Sequence, residues 1–173
     1  AGANMNNAYV VLVVGASWPT KCWPDGHFAV LGDWLYDHGI IPVLVGSGPV
    51  ESQKAAEIAA KMDIPPIDLV GKLNFKQLAC LFQQSAAVVG GDTGPTHLAV
   101  GIGARTVMLM GPTYPRRTGP YGQMDNLLVA DRDCRECMKR ACPLGHDCLA
   151  VIKPEQVEEK LKALVPALAA VSI

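Results

Sequence analysis

The stretch Ala86-Ala87-Val88-Val89-Gly90-Gly91-Asp92-Thr93-Gly94-Pro95-Thr96-His97 passes from a short apolar, β-branched run through two glycines into a proline-initiated helix. An apolar run without polar alternation suits a strand covered on both faces, and proline in a first helical turn forfeits no hydrogen bond. The stretch therefore reads as strand, tight turn and helix. The same pattern recurs outward in both directions. It predicts strands at Tyr9 to Val14, Ile41 to Val45, Ile67 to Val70, Ala86 to Val89, Thr106 to Met110 and, more weakly, Asn126 to Val129. Helices are predicted at about Asp25 to His38, Pro49 to Lys61, Asn74 to Gln84, Pro95 to Gly101 and Pro154 to Leu168. Strands alternating with helices imply an α/β fold with a doubly wound parallel sheet.

A chain of 173 residues, half of them apolar, has material for one full core. One domain over residues 1–173 is expected, with 1–8 as a disordered or linker lead-in and 130–150 as a cysteine-rich loop. The formal net charge is −1, from 15 basic and 16 acidic residues, and no Lys/Arg-rich block occurs. A nucleic-acid partner or an anionic membrane surface thus has no electrostatic support, and a small molecule is the expected ligand. No run approaches the roughly 18 apolar residues of a spanning helix, and the start lacks a basic segment followed by an apolar one. The expected setting is cytoplasmic. The uncharged tail from Ala163 to Ile173 is interrupted by Pro166 and reads as a packed terminal helix.

Each of the first five apolar runs is followed by glycine: Gly15, Gly46, Gly71, Gly90 with Gly91, and Gly111. In an open α/β sheet these turns share the edge outside the carboxyl ends of the strands, where ligands bind and backbone must approach them closely. The polar residues of those turns are the candidates: Ser17, Thr20, Lys21, Ser47, Glu51, Lys72, Asn74, Asp92, Thr93, His97, Thr113 and Tyr114. Turn capping and solvation is the competing role for any one of them.

Asp92 to His97 offers backbone N–H groups and a helix dipole to an anion, so a phosphate belongs there. Thr93 or Thr96 can donate a hydroxyl, Gly94 allows close approach, and His97 can donate a ring N–H. A carboxylate beside a diphosphate repels it, so Asp92 is assigned to loop capping. Lys21, between Trp18 and Trp23, can hold a point charge against a diphosphate leaving group. Glu51, after the second strand, suits ribose hydroxyls, and equally suits the helix dipole as a first-turn acid. The Gly-x-Gly-x-x-Gly fingerprint fails because Glu51 stands where its last glycine belongs, and no Gly-x4-Gly-Lys-Ser/Thr stretch occurs.

Four of the six cysteines crowd late in the chain as Cys134, Cys137, Cys142 and Cys148, with spacing C-x2-C-x4-C-x5-C. Three states are open: a tetrahedral structural zinc, reduced thiols in a packed loop, and disulfides, the last disfavoured in a reducing compartment. Cys22 and Cys80 read as small apolar residues.

Taken together, Lys21-Cys22-Trp23-Pro24, Gly46-Ser47 with Glu51, Gly91-Asp92-Thr93-Gly94 with His97-Leu98-Ala99, Gly111-Pro112-Thr113 and Gly119-Pro120-Tyr121-Gly122 resemble the ADP-heptose:lipopolysaccharide heptosyltransferases. The match runs in order from about Tyr9 to Val157, and Asp-Thr-Gly-x-x-His is its most specific piece. The resemblance implies a GT-B glycosyltransferase with two Rossmann-like domains, of which this chain matches the C-terminal, nucleotide-sugar-binding one. Transfer in the family inverts the anomeric centre without an obligatory metal. A carboxylate of the N-terminal domain acts as base, so this chain alone is expected to bind donor without catalysing transfer. By the same resemblance Lys21 contacts the donor phosphates, Glu51 the ribose, Thr93, Gly94 and His97 the diphosphate, and Thr113 the sugar or phosphate. The adenine lies near Gly71 to Leu73 and Leu78, and no cofactor is required. The implied partners are an ADP-sugar donor and, through the other domain, the lipopolysaccharide core at the inner face of the inner membrane. A same-fold glycosyltransferase or epimerase using a UDP-sugar, and a non-catalytic nucleotide-binding module, are the alternatives.

Overall fold

The computed structural model describes residues 8–169, so all but Ala8 of the expected lead-in, and the last residues of the tail, lie outside the described residues. In chain order the elements are β1 (Tyr9–Val13), α1 (Asp25–Asp37), β2 (Ile41–Val45), α2 (Pro49–Lys61), β3 (Ile67–Asp68), α3 (Phe75–Gln84), β4 (Ala87–Gly91), α4 (Gly94–Gly101), β5 (Thr106–Met110), α5 (Pro115–Thr118), β6 (Leu127–Val129), α6 (Pro154–Leu164) and α7 (Pro166–Ala169). The strands form one sheet in the order β3-β2-β1-β4-β5-β6 with every pairing parallel. This is the expected doubly wound, Rossmann-like sheet. The strand order reverses between β1 and β4, which puts the switch-point crevice between the turns after those two strands.

Alternation along the strands divides the core. Val10 and Leu12 of β1 pack with Phe28, Leu31 and Leu35 of α1, Ile58 of α2 and Leu161 of α6, while Tyr9, Val11 and Val13 pack with Phe82 of α3 and Ala99 of α4. Both faces are covered, which is why the strands are apolar throughout. Trp23 ties the β1–α1 turn into the first cluster: it is 2% exposed, its ring stands edge-on to Phe28, and its indole N–H donates to the Ile152 carbonyl at 2.8 Å.

The departures from expectation are local. Asn74 caps α3 rather than starting it, in a box where its side chain accepts from Gln77 N–H and Gln77 accepts from Asn74 N–H. β3 is two residues long, although Leu69 and Gly71 still donate to the Leu44 and Gly46 carbonyls. The expected last helix is two: Val165 is extended, as the residue before Pro166 must be, and α7 follows. Helix α5 and 3-10 turns at Pro19–Lys21 and Cys148–Val151 lie in segments read as loop.

Candidate functional site

The turns after β1, β4 and β5 meet on one carboxylate. Asp92, at the end of β4, is 5% exposed. Its Oδ2 accepts from Lys21 Nζ at 3.0 Å, Thr113 Oγ1 at 2.7 Å and Thr118 Oγ1 at 3.1 Å, and its Oδ1 meets His97 Nε2 at 2.7 Å. Burial alone would raise the Asp92 pKa; the bonds from Thr113, His97 and Lys21, with the Lys21 charge, outweigh it and hold the carboxyl below its ordinary value. An ionised carboxylate only accepts, so His97 donates through Nε2–H and its Nδ1 faces elsewhere. The assignment of Asp92 to loop capping is thereby corrected. Its oxygens take side-chain donors from three turns, because the sheet brings Lys21 and Thr113 to either side of it. Thr93, the N-cap of α4, makes no side-chain capping bond; its hydroxyl instead pairs with Thr96 Oγ1 at 3.2 Å.

Lys21 ends a 3-10 turn closed by its own N–H on the Trp18 carbonyl at 2.9 Å, and its carbonyl passes so near Gly91 that a Cβ there would collide with it. The ammonium also sits 4.5 Å from the centroid of the Trp18 ring, which carries Arg140 at 5.4 Å. Lys21 and His97 thus flank the start of α4, and Arg140 lies beside the Trp18 ring.

Glu51 lies in the first turn of α2, and its carboxyl accepts from Ser47 N–H at 2.6 Å. It is tucked against Gly15 and Gly46 so closely that a Cβ on either would overlap it. Two hollows open on either side. One, of about 260 Å³, is lined by Val13, Val45, Leu69, Leu73, Phe75 and Leu78, with Glu51 and Ser47 at one edge and Thr93 and Pro95 at another. The other, of about 960 Å³, runs between the 15–26 turn, the start of α2 and residues 141–147. The Asp92 cluster adjoins the smaller hollow through Thr93, and that hollow spans the switch point.

Not every expected site residue converges here. Ser17 and Ser47 are exposed beside the hollows. Gly94 is the exposed first residue of α4, its N–H side open to an anion. Lys72 pairs with Asp68, Asn74 is occupied in its capping box, and Tyr114 is 44% exposed on the β5 turn. Thr20 is buried, and its hydroxyl donates to the Lys139 and Arg140 carbonyls at 2.8 and 3.1 Å. It fastens the cysteine-rich loop to the site. Thr118 was missed: it rides on α5, four residues long and too short to show a period, although Pro115 at its start is a helix signal.

The cysteine-rich loop is held from two sides. Glu136 N–H donates to the Gly111 carbonyl at 2.8 Å and Met138 N–H to the Pro112 carbonyl at 2.7 Å, with both residues in the left-handed region at φ 63° and 57°. Of the three states left open for the cysteines, the structure favours reduced thiols. Cys134, Cys137, Cys142 and Cys148 are free thiols, and among the described residues no three His, Cys, Asp or Glu side chains are placed to share an ion. Cys137 is exposed, Cys134 and Cys142 are half-buried, and Cys148 is buried beside Gly111. Burial, reinforced by the neighbouring thiols, pushes the Cys148 pKa up, which keeps it protonated. Among the described residues no helix is long and apolar enough to cross a membrane.

The model of glycosyltransferase family 9 (heptosyltransferase) matches residues 1–147. The chain is 28% identical to lipopolysaccharide heptosyltransferase 1 of Pseudomonas aeruginosa, over 95% of this chain and 50% of that protein. It is 31% identical to lipooligosaccharide heptosyltransferase 2 of Campylobacter jejuni, over 87% of this chain and 49% of that protein. Among solved structures, the E. coli ADP-heptose lipopolysaccharide heptosyltransferase II superposes with a TM-score of 0.78 at 28% identity, over 96% of this chain and 49% of that one. The chain spans about half the length of the curated relatives it matches.

Proposed function

Given that the chain belongs to glycosyltransferase family 9, the heptosyltransferases, we propose that it is the half of such an enzyme that binds the nucleotide-sugar donor, ADP-heptose. The observation that carries this reading is the juxtaposition, at one switch point, of an apolar hollow edged by Glu51 and of Lys21 and His97 gathered at the start of α4. A nucleoside diphosphate has the matching order of parts: an apolar base, a ribose with two hydroxyls for the Glu51 carboxylate, and an anion for the α4 N-terminus and the Lys21 ammonium beside it. As the glycosidic bond breaks, negative charge grows on the leaving diphosphate, and a lysine already fixed in place stabilises it without reorganising. No step in this account calls on a metal.

The base that deprotonates the acceptor hydroxyl is assigned to the other half of the enzyme, with inversion as the outcome, so this chain binds donor without transferring heptose. The lipopolysaccharide core is the acceptor through that other half, working at the inner face of the inner membrane.

Calorimetric titration with ADP and with UDP, in the presence of a chelator, tests the reading. Binding of ADP in preference to UDP is expected. Preference for UDP would move the chain to another sugar nucleotide, and silence with both would overturn the donor-site reading. His97→Ala is expected to weaken ADP binding about tenfold, because the ring helps hold the Asp92 carboxylate that positions Lys21, while Lys162→Ala on α6 leaves it unchanged. Gly15→Ala is a sharper probe of Glu51. Its new Cβ displaces a flexible carboxyl rather than backbone, so stability should fall by only about 1 kcal/mol, the low end of the cost of overpacking. ADP affinity should nonetheless fall about tenfold as Glu51 leaves the ribose position. Unchanged affinity would remove Glu51 from the site.

A further inference from the structure

Phe75 is not explained by folding. It is the first residue of α3, it is 68% exposed, and it belongs to neither core cluster. Aspartate, serine or glutamate would serve a first helical turn better, and a large exposed aromatic there gains nothing from propensity. Its place is nevertheless well defined, because the reciprocal Asn74–Gln77 bonds at 2.9 and 3.0 Å fix where the helix begins. From that position Phe75 lines the smaller hollow together with Leu69, Leu73 and Leu78. It is the one aromatic residue among those lining the hollow.

We propose that Phe75 is a specificity residue of the donor site, an aromatic lid whose face stacks on the donor's purine base. The inference rests on reading the hollow as the nucleoside site. If Glu51 takes the ribose, the base extends toward the Leu73–Leu78 end. The polar side chains that line the hollow are Glu51, which accepts from the Ser47 backbone N–H, Ser47 at that same edge, and Thr93, which belongs to the α4 start. No side-chain hydrogen bond is therefore on hand to tell one base from another at the Phe75 end. Discrimination falls to stacking area and apolar burial, both larger for a two-ring purine than for a one-ring pyrimidine. An exposed phenyl in the free chain becomes covered when a base arrives, so the same group that is idle for folding contributes to binding.

The test is calorimetric titration of the full chain with ADP and with UDP, comparing wild type, Phe75→Ala and Phe75→Trp. Phe75→Ala should lower ADP affinity by about 5- to 100-fold, the range for deleting one base-stacking aromatic. It should lower UDP affinity less, and so narrow the preference for ADP. Phe75→Trp, which keeps a π-face, should hold ADP within about threefold of wild type. Because the side chain lies outside both cores, the thermal midpoint should be the same in all three, which separates a binding loss from a folding loss. If wild type binds ADP and Phe75→Ala binds it equally well, the lid is overturned and the donor reading stands. If Phe75→Trp fails as badly as Phe75→Ala, the contribution is not stacking and the lid is likewise overturned. If wild type does not bind ADP at all, the donor reading itself fails.

Discussion

Lys21→Ala is expected to lower ADP affinity by about 100-fold, within the range for deleting one partner of a buried charge pair. Two effects act together. The variant loses the charge that faces the diphosphate, and it leaves the Asp92 carboxylate, 4% exposed at its side chain, without its lysine counter-charge. An uncompensated carboxylate at the start of α4 repels the incoming phosphate across a poorly screened interior. Removing that carboxylate should therefore restore part of what is lost: Lys21→Ala with Asp92→Asn should bind ADP about tenfold more tightly than Lys21→Ala alone. Calorimetry on the four members of this cycle measures the coupling. Strict additivity, with the double variant as weak as the product of the single losses, would show that Asp92 does not act through Lys21. The single Lys21 variant should also show a flatter dependence of affinity on salt, since one fewer charge attracts the ligand.

The parallel sheet was legible because both of its signals are local. Runs such as Thr106 to Met110 carry no polar alternation, and proline opens α2, α4 and α6 within a residue of the expected starts. The glycine after each of the first five strands then placed the candidate residues at one edge, and Lys21, His97 and Thr113 do meet there. What was not legible is what they meet on. Asp92 was judged by its neighbours in sequence, where a carboxylate beside a phosphate-binding turn looks unfavourable. Its actual partners arrive from residues 21, 113 and 118 across β1 and β5. No local pattern encodes that convergence.

The state of the cysteines was not legible from their spacing for the same reason. Four cysteines in the interval 134–148 satisfy the count for a metal knuckle, but the path of the loop is set by distant acceptors, the carbonyls of Gly111 and Pro112. Those bonds hold Glu136 and Met138 at positive φ on either side of Cys137, a conformation that L-residues adopt only when the surroundings impose it. Together with the Thr20 hydroxyl on the Lys139 and Arg140 carbonyls, they make the loop a buttress for the Lys21 turn. Arg140, held by that buttress 5.4 Å from the centroid of the Trp18 ring, adds positive potential beside the Lys21 turn.

Asp92→Ala should destabilise the chain by about 2–3 kcal/mol at neutral pH, somewhat less than the 3–5 kcal/mol typical of a fully interior pair, because the cluster lies at the sheet edge and Lys21 can turn toward water. The loss has two parts: Lys21 is left without its counter-charge, and the hydroxyls of Thr113 and Thr118 lose their shared acceptor. Asp92→Asn should cost less, since one amide oxygen can still accept where the Oδ2 donors converge. The pH dependence follows from the direction of the shift. The folded-state pKa of Asp92 lies below its ordinary value, so the native chain binds fewer protons there than the unfolded one. Its contribution is complete above the unfolded-state value of about 3.9 and is lost as pH falls through the lower folded-state value. Urea unfolding of wild type and Asp92→Asn across that window should show the gap between them widest near neutrality and closing under acid. A gap that stays constant through the acid range would mean that the negative charge on Asp92 contributes nothing and that its hydrogen-bonding shape alone holds the three turns together.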